Sequence, residues 1–530
     1  MSLTATPPAI SRELHFDNRS VLCFSERLKN AYGALGESAE RAPDATAIVY
    51  EDGRWTYRET VAEVARISTG LRQRGVKRGD RVALIIGNRP EFIFAFYAVL
   101  HAGAIAIPID IRLQRQEVEY IAQDAGVTMF VCEAGFAERV PETAAGGPVA
   151  CVSFNPDAGE RLFDDVPEAQ DLSPLEPQSE EDTAAILYTS GTTGRPKGAM
   201  LSHLNFAHSI LHFQGNVQLT QEDRVLLSVP ATHVTGLLCA VVAAPAAGAT
   251  LIILPYFKAR NFLEVASREK MTYTVMVPAM YNLCLLVPEL ETFDLSSWRI
   301  GHFGGAPMPQ ATIEALARRL PNLTLMNGYG ATETCSPTAM TPLSGDITGL
   351  KSVGRVLPCA EVLIVDADGV PVPYGETGEI WIRGPMVVKG YWGNESATKS
   401  AFTDGYWHSG DVGSLDEHGF LYVFDRLKDV INRAGYKIYS AEVENVLLQI
   451  PGVTESAVVA KPCPVLGERV HAFVSVNDAN VTEDVIRAYC VEALADYKVP
   501  ETYTVSTNPL PRNANGKLVK RALREQLMHS

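Results

Sequence analysis

Y-R-E-T-V-A-E-V-A-R-I-S-T-G-L-R-Q-R-G (57–75), R-V-A-L-I-I-G (81–87), P-E-F-I-F-A-F-Y-A-V-L-H-A-G (90–103) and A-I-A-I-P-I-D (104–110) follow one another, punctuated by Gly, Pro or Asp. The pattern reads helix, strand, helix, strand. Such alternation builds an α/β fold with parallel strands. Runs as apolar as V-A-L-I-I (82–86) and L-I-I-L (251–254) suit strands covered on both faces. Two stretches, Phe92–Ile109 and Leu237–Pro255, are nearly charge-free and about as long as a bilayer span. Gly103, Pro108, Pro245 and Gly248 interrupt them, so each is expected to be a buried helix, a glycine turn and a buried strand.

At 530 residues and 46% apolar content the chain exceeds one ordinary domain and can fill a large core. The last hundred residues look different. A helix after Ser440 puts Val443, Val446, Leu447 and Ile450 on one face; short strands at E-S-A-V-V-A (455–460) and A-F-V-S-V (472–476) and a helix from Thr482 to Leu494 follow, which predicts a small α+β module. Between Asn155 and Asp182 the chain is acidic and proline-bearing, as a surface connection would be. A formal charge of −16 excludes an electrostatic grip on nucleic acid or an anionic membrane, so anionic ligands need local basic groups. Nine cysteines without a C-x-x-C pair suggest neither a disulfide framework nor a zinc site, and point to reduced thiols in the cytoplasm. The opening M-S-L-T-A-T-P-P lacks the basic and apolar regions of a secretory leader.

The chemistry is densest at Y-T-S-G-T-T-G-R-P-K-G-A-M (188–200), which follows the apolar strand A-A-I-L. Glycines let backbone wrap round an anion, hydroxyls add donors, and Arg195 and Lys197 add charge, making a phosphate cradle. The Walker A spacing cannot be laid on it. This segment resembles the phosphate-binding signature of the acyl-adenylate-forming superfamily of acyl-CoA synthetases, peptide-synthetase adenylation domains and beetle luciferases. Further segments are similar in the family's order: G-G-A-P (304–307), N-G-Y-G-A-T-E-T (327–334), W-H-S-G-D (407–411), D-R-L-K-D (425–429) and P-R-N-A-N-G-K (511–517).

The resemblance implies a large α/β N-terminal domain with doubly wound sheets, residues 1–427, and a small mobile α+β C-terminal domain, 428–530. It implies an AMP-forming acid:CoA ligase, in which ATP and a carboxylate give acyl-AMP, and the CoA thiol then gives acyl-CoA. The ATP site would comprise Thr189, Ser190, Gly191, Thr192, Thr193, Gly194, Lys197, Gly305, Ala306, Pro307, Asn327, Gly328, Tyr329, Gly330, Thr332, Asp411, Val423, Arg426 and Lys517. Tyr329 offers a face for adenine, Gly305 and Ala306 leave room for the ring, and Asp411 suits two ribose hydroxyls. Thr193 and Glu333 would hold Mg²⁺, and Lys517 would offset the repulsion between carboxylate and α-phosphate. Lys428 is the implied hinge.

P-A-T-H-V-T-G-L (230–237) resembles the family segment that gates the acyl site, which makes His233 the gate, with Val234, Thr235, Gly236, Val277, Phe303 and Gly304 around the acyl chain. Gly304 would leave depth there. No Lys or Arg lies in these segments, so a fatty or aromatic monoacid is favoured over a diacid. Arg433, Ala434, Gly435, Tyr436 and Lys437 would meet coenzyme A, Gly435 either making room for pantetheine or simply capping a turn. A homodimer is the candidate assembly. Three alternatives stay open: a ligase that loads a carrier protein, a luciferase-like oxidation, and a non-catalytic binder on a decayed ligase.

Overall fold

The computed structural model describes residues 9–167, 178–189, 195–343, 352–478, 480–512 and 518–528. They divide into two compact units, the first Met1–Met308, Thr312–Val362 and Ile382–His408, the second Pro309–Ala311, Leu363–Trp381 and Ser409–Ser530.

Two large sheets account for most of the strands described in the first unit. One has six strands in the order Ala150–Phe154, Met129–Glu133, Arg81–Ile85, Ile105–Pro108, Thr183–Thr189 and Lys197–Ser202, all parallel except for the last, which closes an antiparallel hairpin. The other has a parallel middle in the order Thr324–Ala331, Ile300–Gly304, Tyr273–Met276, Arg224–Leu227, Thr250–Ile253 and Thr46–Tyr50. Local signals set the helices between them. Tyr57–Gln73 starts at a capping box of Thr56 and Glu59, and His203–Val217 at the Ser202 hydroxyl.

Pro90–His101 opens on its proline and is buried at every position but Glu91. Its 12 residues reach roughly 18 Å at 1.5 Å per residue, against about 30 Å of bilayer hydrocarbon, so its hydrophobicity serves the core. Among the described residues no helix is long and apolar enough to cross a membrane. The second suspect stretch is a π-helical turn, Leu237–Val242, running into the helix Ala243–Ala247. The widened turn sits directly ahead of Pro245, whose ring would clash in a regular α-helix. Gly248 ends it at φ +74°, a left-handed value that glycine adopts freely.

One expectation needs correction. The acidic connection after Asn155 is more than a surface strap, because Leu162, Phe163 and Val166 are buried in the main core. Phe163 fills a notch at Gly70, where a Cβ would lie 2.7 Å from its ring, and its carbonyl accepts from the buried Arg66. Polar composition hid a short apolar anchor.

The second unit carries the antiparallel pairing of Asp411–Leu415 with Leu421–Arg426 and a sheet in the order Tyr436–Ile438, Ile431–Arg433, Gly467–Val476, Val453–Cys463, with Thr502–Ser506 alongside Gly467–Val476. The two strands expected to be short are 11 and 10 residues long, because cross-strand pairing continues through Lys461, Pro462 and Arg469, where the apolar signal has ended. Ser440–Leu447, Glu483–Ala493 and Lys520–Met528 are helices.

Four histidines of the first unit are buried in neutral form. Desolvation pulls His203, His212 and His302 down to about 4 and His208 to about 3. His208 accepts the Phe24 N–H at Nε2, and His203 accepts that of Ala31 at Nδ1. Unfolded imidazoles titrate near 6.5, so between that pH and about 4 the unfolded chain binds protons that the folded chain refuses. Stability contributed by these groups is complete above pH 6.5 and lost as pH falls through this window, by at most about 1.4 kcal/mol per pH unit for each histidine. Urea unfolding should show a lower midpoint at pH 5 than at pH 7, with a shallower pH slope in His302→Asn; a pH-independent midpoint would contradict the assignment.

Candidate active site

The hairpin of Thr183–Thr189 and Lys197–Ser202 brackets the phosphate-cradle sequence. Ser190, Gly191, Thr192, Thr193 and Gly194 lie outside the described residues, but both rims are in place, with Thr189 opposite Lys197. Gly198 is obligatory here: a Cβ would come within 2.6 Å of Ile186 and 3.1 Å of the Tyr188 ring. Arg195 lies over Tyr120, while Lys197 Nζ stands 5.1 Å from the centre of the Tyr391 ring.

Tyr391 is the residue that sequence reading missed. The residues on either side of it clamp the departing strand, since Met200 N–H donates to Gly390 O and Trp392 N–H to Gly198 O. Its phenol donates to Glu333 Oε1 at 2.9 Å, and Val388 N–H donates to the Glu333 carbonyl. Burial first, and the Glu333 charge second, hold the Tyr391 phenol well above its ordinary range, so it remains a donor. Glu333 is 8% exposed, in the one-turn helix Thr332–Thr334, with Thr332 half-buried beside it. A buried carboxylate oriented by a phenol donor is chemically suited to a hard cation.

Gly304 and Gly328 face each other in register on parallel strands. A Cβ on Gly304 would meet Gly328 O at 2.6 Å, and one on Gly328 would meet His302 Nε2 at 2.2 Å. In the direction a Cβ would take, main chain occupies the space at Gly304, and close strand packing requires the glycine. Phe303 is 2% exposed among the apolar side chains of its layer. Beyond the strand ends, Gly305, at φ +76°, Ala306 and Pro307 are exposed, with Tyr329 half-buried and Gly330 exposed on the neighbouring strand. Asn327 N–H donates to Thr341 Oγ1 at 3.1 Å. This is the carboxyl end of parallel strands, where α/β sheets bind ligands.

His233 starts the short helix Val234–Gly236, and the turn is so tight that a Cβ on Gly236 would reach Pro230 O at 2.3 Å. Val234, Thr235 and Val277 are half-buried. Asp110 Oδ2 lies 3.9 Å from His233 Nε2. Burial would raise the Asp110 pKa, but hydrogen bonds from the Arg112 side chain and backbone outweigh it and keep the carboxyl below its usual range. In the sequence Asp110 was only the end of an apolar strand.

In the second unit, Asp411 and Arg426 are cross-strand partners, with Arg426 Nε 2.9 Å from Asp411 Oδ1 and its NH1 donating to Ser409 O. Val423 pairs with Gly413. Lys428 is exposed in the turn Leu427–Asp429, next to the ion pair between Asp429 and Arg524. Ala434 and Gly435, at φ +51° and +93°, form the two-residue turn between Ile431–Arg433 and Tyr436–Ile438, so the turn itself requires glycine. Space beside Gly435 is nonetheless open, with no atom within 4 Å of a would-be Cβ. Arg433 is held by Glu501 at 2.6 Å, while Tyr436 and Lys437 are exposed. Lys517 lies outside the described residues.

Family comparison agrees with this geometry. Residues 35–392 match the model of the AMP-binding enzyme family, and 442–517 that of the AMP-binding enzyme C-terminal domain. The chain is 34% identical to the long-chain-fatty-acid–CoA ligase FadD13 of Mycobacterium tuberculosis over 94% of its own length and 99% of the relative's. It is 35% identical to feruloyl-CoA synthase of Amycolatopsis sp, covering 92% and 97%. Among solved structures, ATP-bound MatB from Rhodopseudomonas palustris superposes with a TM-score of 0.85 at 30% identity, covering 94% of this chain and 98% of that one.

Tyr391→Phe keeps the ring near Lys197 but removes a buried donor from Glu333. The loss should lower unfolding free energy by about 1 to 3 kcal/mol in urea titrations. An unchanged midpoint would mean that the hydrogen bond is not made in solution.

Proposed function

This chain belongs to the AMP-binding enzyme family and is an acid–thiol ligase; we propose that it joins a fatty or aromatic monocarboxylic acid to coenzyme A through an acyl-adenylate. The observation that carries the reading is the clamp in which Tyr391 ties the strand leaving the phosphate cradle to the buried Glu333, beside the glycine-lined strand ends. A carboxylate does not yield to a thiol, because oxide would have to leave. Esterified to AMP, the same oxygen departs with a stabilised phosphate.

In the first step the loop 189–194 and Lys197 hold the triphosphate, the backbone of 305–307 and the face of Tyr329 receive adenine, and Asp411, oriented by Arg426, accepts from the ribose hydroxyls. Thr193 and Glu333 offer oxygen ligands for Mg²⁺, which when bound neutralises phosphate charge. Lys517 places its ammonium against the carboxylate and α-phosphate as they close. In the second step the chain turns at Lys428, between a body of residues 1–427 and a mobile 428–530, and exchanges Lys517 for the segment 433–437. There the open side of Gly435 admits the pantetheine arm, and Lys437 pairs with phosphate; Arg433 is already engaged by Glu501.

His233, with Asp110 behind it, gates an acyl site lined by Val234, Thr235, Gly236 and Val277. The absence of Lys and Arg from these segments supports an apolar acid, and the relatives named for long-chain fatty acids and feruloyl-CoA fit it.

Lys517→Ala should cut acid-dependent ATP–pyrophosphate exchange by roughly 10² to 10³, the usual loss for one electrostatic contact, and leave thioester formation from supplied acyl-AMP nearly intact. Equal loss in both half-reactions would refute the division of labour. In a panel of acids with free CoA and no carrier protein, thioester should be released with long-chain or aromatic monoacids. Adenylation with no thioester would favour the carrier-protein reading.

A further inference from the structure

Two of the nine cysteines meet away from the ligase site. Cys132 stands on Met129–Glu133 and Cys151 on Ala150–Phe154, the outermost strand of the six-stranded sheet. The strands are parallel, with Cys132 opposite Ser153 and Cys151 opposite Phe130, so the thiols are diagonal neighbours on one face. Their sulfurs lie 3.7 Å apart.

The surroundings of the pair are unequal. Cys132 is buried in an apolar cluster with Ile85, Ile107 and Phe130, whereas Cys151 is exposed and the other eight cysteines are buried. The hydrogen bond between the two sulfurs outweighs burial and draws the Cys151 thiol down to about 7, while Cys132 is driven upward. Thiolate character and access therefore coincide at Cys151, with a second thiol beside it. Burial instead pushes Cys23, Cys284, Cys335 and Cys359 up to about 12.

We propose that Cys132 and Cys151 form an oxidisable dithiol, a modification site at which a hydroperoxide converts the pair to an intrachain disulfide. The Cys151 thiolate attacks a peroxide oxygen; the O–O bond breaks, hydroxide or alkoxide leaves with the electron pair, and Cys151 becomes a sulfenic acid. Cys132 gives up its proton and attacks the Cys151 sulfur, the S–O bond breaks, and the departing hydroxide takes the proton and leaves as water. The two thiols lose two electrons together and the peroxide gains them. Closure from 3.7 Å to about 2.05 Å requires Ala150–Phe154 to move, and among the described residues that strand has a ladder partner on one side only. The site is independent of the ligase chemistry.

The experiment is peptide mass mapping, without reductant, of the folded full chain after hydrogen peroxide treatment. It should find one linked pair of peptides carrying Cys132 and Cys151, reversed by dithiothreitol and prevented by phenylarsine oxide, which bridges paired thiols. In Cys132→Ser the cross-link should vanish and Cys151 should accumulate as a sulfenic acid trapped by dimedone. In Cys151→Ser neither cross-link nor dimedone adduct should form at Cys132. Should Cys132→Ser fail to fold, Cys132→Ala keeps the buried position apolar and is read the same way. Native protein that forms no such link, with Cys151 labelled no faster than the buried cysteines, would overturn the proposal.

Discussion

The first unit is organised around a buried negative charge. Glu333 sits in a layer where an uncompensated carboxylate is costly, and the Tyr391 phenol is held there to donate to it. Because Gly390 and Trp392, the immediate neighbours of Tyr391, hold the strand that leaves the phosphate cradle, one short segment couples the carboxylate to that strand. Rigidity of this kind is what a site needs if its charges are to be in place before the substrate arrives.

Close backbone packing supplies the rest of that rigidity. Gly198, Gly236, Gly304 and Gly328 each stand where a single added carbon would strike a neighbour. At Gly305 and at the Ala434–Gly435 turn it is backbone conformation, with φ positive, that imposes the demand. Gly304 and Gly328 thus hold strands together at their carboxyl ends, and the exposed backbone of 305–307 is a consequence of where those strands stop.

Much of the fold was legible from residues 57–110 because strands buried on both faces and a helix buried all round produce unbroken apolar runs. The small C-terminal module was legible for the same reason, up to the point where its long hairpin turns polar. The family segments marked most of the candidate site. What could not be read were partnerships between distant residues. Nothing near Gly390-Tyr391-Trp392 announces Glu333, and nothing in A-I-A-I-P-I-D announces His233, since both meetings depend on where separate strands end. Phe163 escaped notice because one aromatic in an acidic stretch carries no periodicity.

The central claim is that the carboxylate oxygen ends on the nucleotide. It is tested most directly by following that oxygen: an accepted acid labelled with oxygen-18 in its carboxylate is turned over with ATP and coenzyme A, and the products are weighed. An acyl-adenylate route places one labelled oxygen in AMP and none in pyrophosphate. Label in inorganic phosphate, with ADP as the nucleotide product, would mean an acyl-phosphate route and would contradict the account.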